Sequence, residues 1–197
     1  MNFLAHLYLS GDNDLVRLGN FIGDFVKGRN LNEQYPADVA RGVRLHRAID
    51  EFTDSHPIVA ESKNRLRPNY RHYAPVIVDV FYDHFLAKNW HDYSDEPLSE
   101  YAQHIYKLVE KNASILPEHF MKMMTYMQRG NWLLHYATIE GIHQALNGMA
   151  RRSKFDSKMD KSVIDLKAHY SEFEREFSIF FAELKSYSET WLNVNQV

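Results

Sequence analysis

Five of the six prolines head a stretch whose apolar residues recur with helical spacing, and no other feature constrains the fold as tightly. They are Pro36, Pro57, Pro75, Pro97 and Pro117. Proline is tolerated in the first turn of a helix, where its missing N–H has no intrahelical acceptor to lose. Ser94 and Asp95 stand before Pro97 as possible caps. The spacing predicts helices over 2–9, 14–27, 36–54, 57–66, 71–91, 97–113, 117–128, 132–149 and 162–191. Gly28, after Lys27, marks the expected end of the second. No segment alternates with period two between turn signals. The predicted fold class is therefore all-α, a single-domain helical bundle.

The last element is the clearest. Leu166, Tyr170, Phe173, Phe177, Phe180, Leu184, Tyr187 and Trp191 follow steps of four and three. They make one continuous apolar seam, which predicts a long packing helix. The polar stretch 151–161 before it reads as a loop.

Composition narrows the chemistry. Twelve Tyr, twelve Phe and three Trp supply enough apolar area for a core of ordinary stability. There is no cysteine, which excludes disulfides, thiolate nucleophiles and thiolate metal sites. That usage fits a reducing compartment, so the expected location is cytoplasmic. A net charge of -3 implies no general affinity for nucleic acid. No apolar run reaches the ~20 residues needed to span a bilayer. The opening MNFLAHLYLS lacks a basic flank and a small-residue cleavage site, and reads as mature protein rather than a signal peptide. Neither nucleic acid nor membrane is an expected partner, and the sequence fixes no oligomeric state.

Histidine and aspartate concentrate in the first half at helical spacings. His46, Asp50 and Asp54 lie four residues apart, and each step rotates only about 40° on a helix, so they share a face. Asp79 and Asp83 share a face of a second helix, with His84 adjacent. Asp24 and His6 stand among apolar neighbours, where a charged group is costly unless it is paired or ligates a metal. Any one of these residues alone reads as a surface charge or a satisfied core group. As a set on facing helices they resemble the way bundles build metal sites, with nitrogen and carboxylate ligands suited to Mn, Fe, Zn or Mg. Arg41, Arg44 and Arg47 recur every three residues beside His46, and Arg65, Arg67 and Arg71 follow. Such a zone is either a solvated face or a landing surface for phosphate or an acidic partner. There is no nucleophile elbow, P-loop or dinucleotide fingerprint.

The blocks NFLAHLYLS, GNFIGDFVKG, LHRAIDEFTD, APVIVDVFYDHFL and NGMARR, in this order, resemble the acyl carrier protein phosphodiesterases, also called acyl carrier protein hydrolases. The likeness runs from Met1 to about Arg152 and continues more weakly through the last helix. It implies an HD-phosphohydrolase-like helical core. It also implies an enzyme of lipid metabolism that hydrolyses holo acyl carrier protein to apo carrier protein and 4′-phosphopantetheine, with a divalent metal, Mn2+ foremost and Mg2+, Fe2+ or Zn2+ as alternatives. The implied metal cluster is Asp24, His46, Asp50, Asp83 and His84. The HD pattern has an adjacent His-Asp pair, whereas here the order is Asp83-His84.

Metal-activated water is the expected nucleophile toward phosphorus. Arg47 or Arg44 would neutralise the non-bridging oxygens. His6 or His84 would protonate the leaving oxygen, with His6 and Asp79 as further catalytic candidates. Carrier proteins are acidic, so Arg44, Arg65 and Arg67 are the expected substrate-binding residues. The expected organisation is one hydrolase domain over 1–197, with the metal-site core in 1–150 and a loop plus long helix in 151–197. The competing readings are a hydrolase of nucleotides or other small phosphodiesters and a non-catalytic helical module that binds the carrier.

Overall fold

The structure is a computed structural model, and it describes residues 1–196. Among them there is no strand. The chain runs through α1 (Phe3–Tyr8), α2 (Asp14–Phe21), α3 (Leu31–Gln34), α4 (Ala37–Ser55), α5 (Pro57–Tyr70) and α6 (Ala74–Lys88). It continues through α7 (Leu98–Lys111), α8 (Glu118–Arg129), α9 (Trp132–His135), α10 (Ile139–Arg152), α11 (Val163–Ala168) and α12 (Tyr170–Val194). Pro57 and Pro75 sit in the first turns of α5 and α6, and Pro36, Pro97 and Pro117 occupy the residue before α4, α7 and α8. The prolines therefore set helix starts as expected. Among the described residues no helix is long and apolar enough to cross a membrane.

α6 is the centre. Ile77, Val78, Val80, Phe81, Tyr82, Phe85 and Leu86 are all buried, so the helix is apolar almost all round. α12 packs on it and on α4 and α5 through Phe173, Phe177, Phe180, Phe181 and Leu184. Phe81 meets Phe173 edge-on at 5.2 Å, and Phe85 stacks with Phe177 at 5.9 Å between ring centres. The aromatic seam is thus a packing seam.

α2 and α4 cross with their backbones in contact. A Cβ on Gly19 would lie 2.0 Å from the Val39 carbonyl oxygen, and one on Gly42 would lie 2.0 Å from that of Val16. Only two glycines allow that approach, and it brings Asn20 of α2 beside His46, one turn beyond Gly42 on α4.

Three expected helices end well short or break in two. The second ends at Phe21 rather than near Gly28, and a 3-10 turn, Gly23–Phe25, follows. Gly23 lies under the His46 ring, where a Cβ would sit 2.1 Å from the ring, so the chain tightens and turns Asp24 back toward α4. The stretch expected over 132–149 is two helices, with Thr138 capping α10 by accepting from the Gly141 N–H. The last is broken at His169, between α11 and α12. α10 itself reaches Arg152, into the expected loop.

Candidate metal centre

His6 comes from α1, and His46 and Asp50 from α4, one turn apart. One ligand atom from each of the three lies within 4.8 Å of the others, so this group could hold a metal ion. His46 Nε2 is 3.1 Å from Asp50 Oδ2 and 3.2 Å from Asp24 Oδ1, and His6 Nε2 is 3.3 Å from Asp50 Oδ1. The two imidazoles stack with centroids 4.0 Å apart.

One residue sets both rings. His46 Nδ1 donates to the Asn20 backbone oxygen, and His6 Nδ1 donates to Asn20 Oδ1, both at 2.8 Å. Asn20 is itself locked, because its Nδ2 donates to the His6 carbonyl at 2.7 Å and to Ser10 Oγ at 2.9 Å. With both Nδ1 atoms committed as donors, both Nε2 atoms turn toward the carboxylates, which is the orientation that metal-ligating histidines require. His6 Nε2 is buried and has no hydrogen-bond partner. A buried nitrogen without a partner costs free energy that a bound cation would remove. The residues therefore fit a divalent metal.

The electrostatics agree. Burial disfavours the charged His46 ring, but the bonds from Asp24 and Asp50 outweigh it and raise its pKa from 6.5 to about 9. Burial, reinforced by the His46 charge, lowers that of His6 from 6.5 to about 4. Burial alone would raise the Asp50 carboxyl, yet its bond to His46 and the nearby His6 ring and Met1 α-amine hold it well below the usual carboxylate range. Without a metal, the His46 ring and the Met1 α-amine are the cations that face the Asp24 and Asp50 carboxylates.

The centre opens on a cleft of about 330 Å³, lined on its acidic side by Asp24, Asp50, Asp54 and Asp79 and on its apolar side by Phe3, Pro75, Val76 and Met149. The Met1 α-amine lies 3.3 Å from Asp79 and 3.5 Å from Asp50. Lys63 Nζ holds Asp54 at 2.7 Å. Burial pushes the Asp79 carboxyl up, against the opposing Met1 charge.

The remaining sequence candidates lie elsewhere. Asp83 is fully buried and accepts from the Leu4 N–H at 2.7 Å and the Ala5 N–H at 3.1 Å. It caps α1, whose own Asn2 makes no side-chain cap, and so holds the helix that carries His6. His84 points another way, because neighbours on a helix diverge by about 100°. Its Nδ1 donates to the Tyr136 carbonyl and its Nε2 accepts from Tyr170 Oη, both at 2.8 Å. Arg47 donates to the carbonyls of Val26 and Gly28, bracing the loop after Asp24, and Arg44 donates to Asn32. Arg65 grips the buried Glu176 with both nitrogens, at 2.6 and 2.8 Å, and Arg67 is exposed beside Asn64. The structure thus brings His6, Asp24, His46 and Asp50 into contact, with Asp24, Asp50 and Asp79 lining the cleft, and leaves Asp83, His84 and the four arginines away from both.

Fold and site together define an all-helical protein with a buried His/Asp centre that could take a divalent cation. The sequence profile of the family described as Acyl carrier protein phosphodiesterase matches residues 1–184. The chain belongs to that family. A relative from Photorhabdus laumondii, named acyl carrier protein phosphodiesterase, is 38% identical over 193 residues, covering 96% of each chain. Relatives of the same name from Enterobacter and Shigella boydii are each 39% identical over 186 residues, 93% of this chain and 95% of theirs. No solved structure matches the chain significantly.

Proposed function

We propose that this protein is a metal-dependent phosphodiesterase. It cleaves the phosphodiester joining 4′-phosphopantetheine to the serine of holo acyl carrier protein, and the products are apo carrier protein and 4′-phosphopantetheine. The observation that carries the reading is the pair of stacked, buried imidazoles with both Nε2 atoms aimed at Asp50, whose carboxylate lines an open cleft. The family and its relatives' names supply the substrate.

His6, His46 and Asp50 are the proposed ligands, with Asp24 at the exposed edge as the fourth. A divalent ion there, with Mn2+ the first choice, would act as a Lewis acid toward water and the phosphoryl oxygens. Asn20 keeps both histidines in the ligating tautomer, and Gly23 leaves room for the His46 ring. Asp83 positions His6 through α1. Asp79, on the cleft wall with its carboxyl pushed up by burial, is the proposed acid for the departing serine oxygen. Phe3, Pro75, Val76 and Met149 offer the pantetheine arm an apolar wall. Residues 1–197 act as one unit in this reading, with every proposed ligand in 1–150. The lack of cysteine suits work in the cytoplasm.

The test is the mass of holo carrier protein after incubation. Loss of the whole arm with enzyme and Mn2+, and retention of it with chelator, is the expected result. An intact holo carrier under both conditions removes the reading.

A further inference from the structure

The reading above leaves open where the carrier's body rests, and the bond it breaks narrows the answer. The scissile phosphorus is bonded to a serine oxygen of the carrier itself. To bring that phosphorus to His6, His46 and Asp50, the carrier's surface must press on the rim of the cleft. The docking face must therefore be continuous with that rim.

Two chain segments run from the cleft rim into a second groove of about 450 Å³. Pro75 and Val76 line the cleft, and Arg71, His72 and Tyr73, just before them, line the groove. Met149 lines the cleft, α10 ends three residues later at Arg152, and Phe155 and Lys158 line the groove. The ridge they form is strongly basic. Arg71, Arg151, Arg152, Lys154 and Lys158 are all exposed, and none makes an ion pair within 4.0 Å among the described residues. Asp156 stands among them, and Asp165, which accepts from Asn69 and Tyr70, borders the groove. Phe155 and Val76 are among the large apolar side chains left exposed, at 64% and 41%. The Lys154 ammonium lies 5.6 Å from the Phe155 ring centre.

Unpaired cations around an exposed aromatic side chain match the anatomy of a polar protein interface with an apolar anchor. The cleft is acidic, and an acidic carrier bringing a phosphodiester toward Asp24, Asp50, Asp54 and Asp79 needs a compensating field beside it. By contrast, Arg65 is consumed by Glu176, and Arg44 and Arg47 are held by Asn32 and by loop carbonyls.

We propose that the ridge formed by Arg71, Arg151, Arg152, Lys154, Phe155 and Lys158 is the docking face for the acidic surface of the carrier protein, next to its modified serine. This rests on the functional reading, so binding and turnover are to be read separately. Binding of fluorescent holo carrier to metal-stripped enzyme is followed by anisotropy, and KM and kcat are followed with Mn2+. The variant carries Arg151→Glu, Arg152→Glu, Lys154→Glu and Lys158→Glu, with its melting temperature checked against the parent. The expected result is at least about a tenfold rise in Kd and in KM, kcat within about twofold, and a flatter salt dependence of KM. Phe155→Ala alone is expected to raise Kd by about three- to tenfold, as loss of an anchor does. Unchanged Kd in the fourfold variant overturns the docking face whatever turnover does. A rise of equal size from Lys107→Glu with Lys111→Glu, exposed on α7 and lining neither the cleft nor the groove, also overturns it, because it would report net charge rather than contact. Ridge-dependent binding without arm release keeps the face and removes the reaction instead.

Discussion

Among the described residues, two of the buried polar clusters are built to opposite ends. Beneath α12, Glu176 is gripped by Arg65 and by Ser62, and Ser62 is bonded in turn to Tyr82 at 2.9 Å. Each of those four side chains has a protein partner, and none of them lines a cavity described above. At the crossing of α2 and α4 the two Nδ1 atoms are satisfied, but His6 Nε2 is left without a hydrogen-bond partner and a cleft opens beside it. The first cluster is complete as it stands, whereas the second leaves a buried nitrogen that a cation would satisfy. Burial and charge are common to both, so neither identifies a functional site. The unspent ligand atom beside carboxylates that line a cleft is what singles out the second as the candidate.

Substitutions sharpen that contrast. Asp50→Ala is expected to lower carrier hydrolysis by about a thousandfold or more while leaving the melting temperature within a few degrees, because it removes a ligand and not packing. Arg65→Ala should do the reverse. It leaves Glu176 buried and unpaired, which costs about 3 kcal/mol or more of stability, yet kcat of the folded fraction is retained. Denaturant melts and initial rates on both variants would show the two effects separating. If Arg65→Ala loses turnover without losing stability, the clusters are not distinct.

Asp83 lies between these extremes. Asp83→Ala strips the acceptor from two N–H groups of α1 and is expected to cost about 2 kcal/mol. Turnover should fall only as far as His6 is displaced. Full stability with abolished metal binding would make Asp83 a ligand rather than a cap.

The smallest expected effect is in pH. The His46 pKa in the metal-free fold is about 9 against 6.5 for the free side chain, so the folded state binds the proton more tightly. The stability this gives is complete below about 6.5 and is lost as pH rises through 9. With His46 Nε2 ligating a metal, that proton would be absent, so the metal-loaded protein should not show the loss. Thermal melts from pH 6 to 10, with and without Mn2+, would record it. Identical alkaline profiles would mean that the ion binds elsewhere.

Much of this was legible in the sequence. Helix starts followed from the prolines, because the backbone reason is local. The α12 seam followed from its period. The carboxylate and imidazole of α4 were legible because steps of four share a face. What escaped was whatever depends on a partner helix. Asn20 gave one weak signal, a polar residue between Gly19 and Phe21, and nothing local says that it orients two histidines. Asp83 and His84 read as a metal pair, yet the bare N-terminus of α1 takes the carboxylate and Tyr136 and Tyr170 take the ring. Arg41, Arg44 and Arg47 share a spacing but not a task, since Arg41 donates to the carbonyl of Leu192 far along the chain. Gly19, Gly23 and Gly42 were the missed clue. Glycine within or just beyond a helical pattern often marks a close approach, and here it marked the site.

Mn2+ uptake, followed by electron paramagnetic resonance on wild-type protein and on His46→Ala, tests the centre most directly. The wild type is expected to remove Mn2+ from solution stoichiometrically and more tightly as pH rises toward 9, and His46→Ala is expected to leave it free. Equal uptake by both proteins, or none by either, would contradict the assignment of His6, His46 and Asp50 as a metal site.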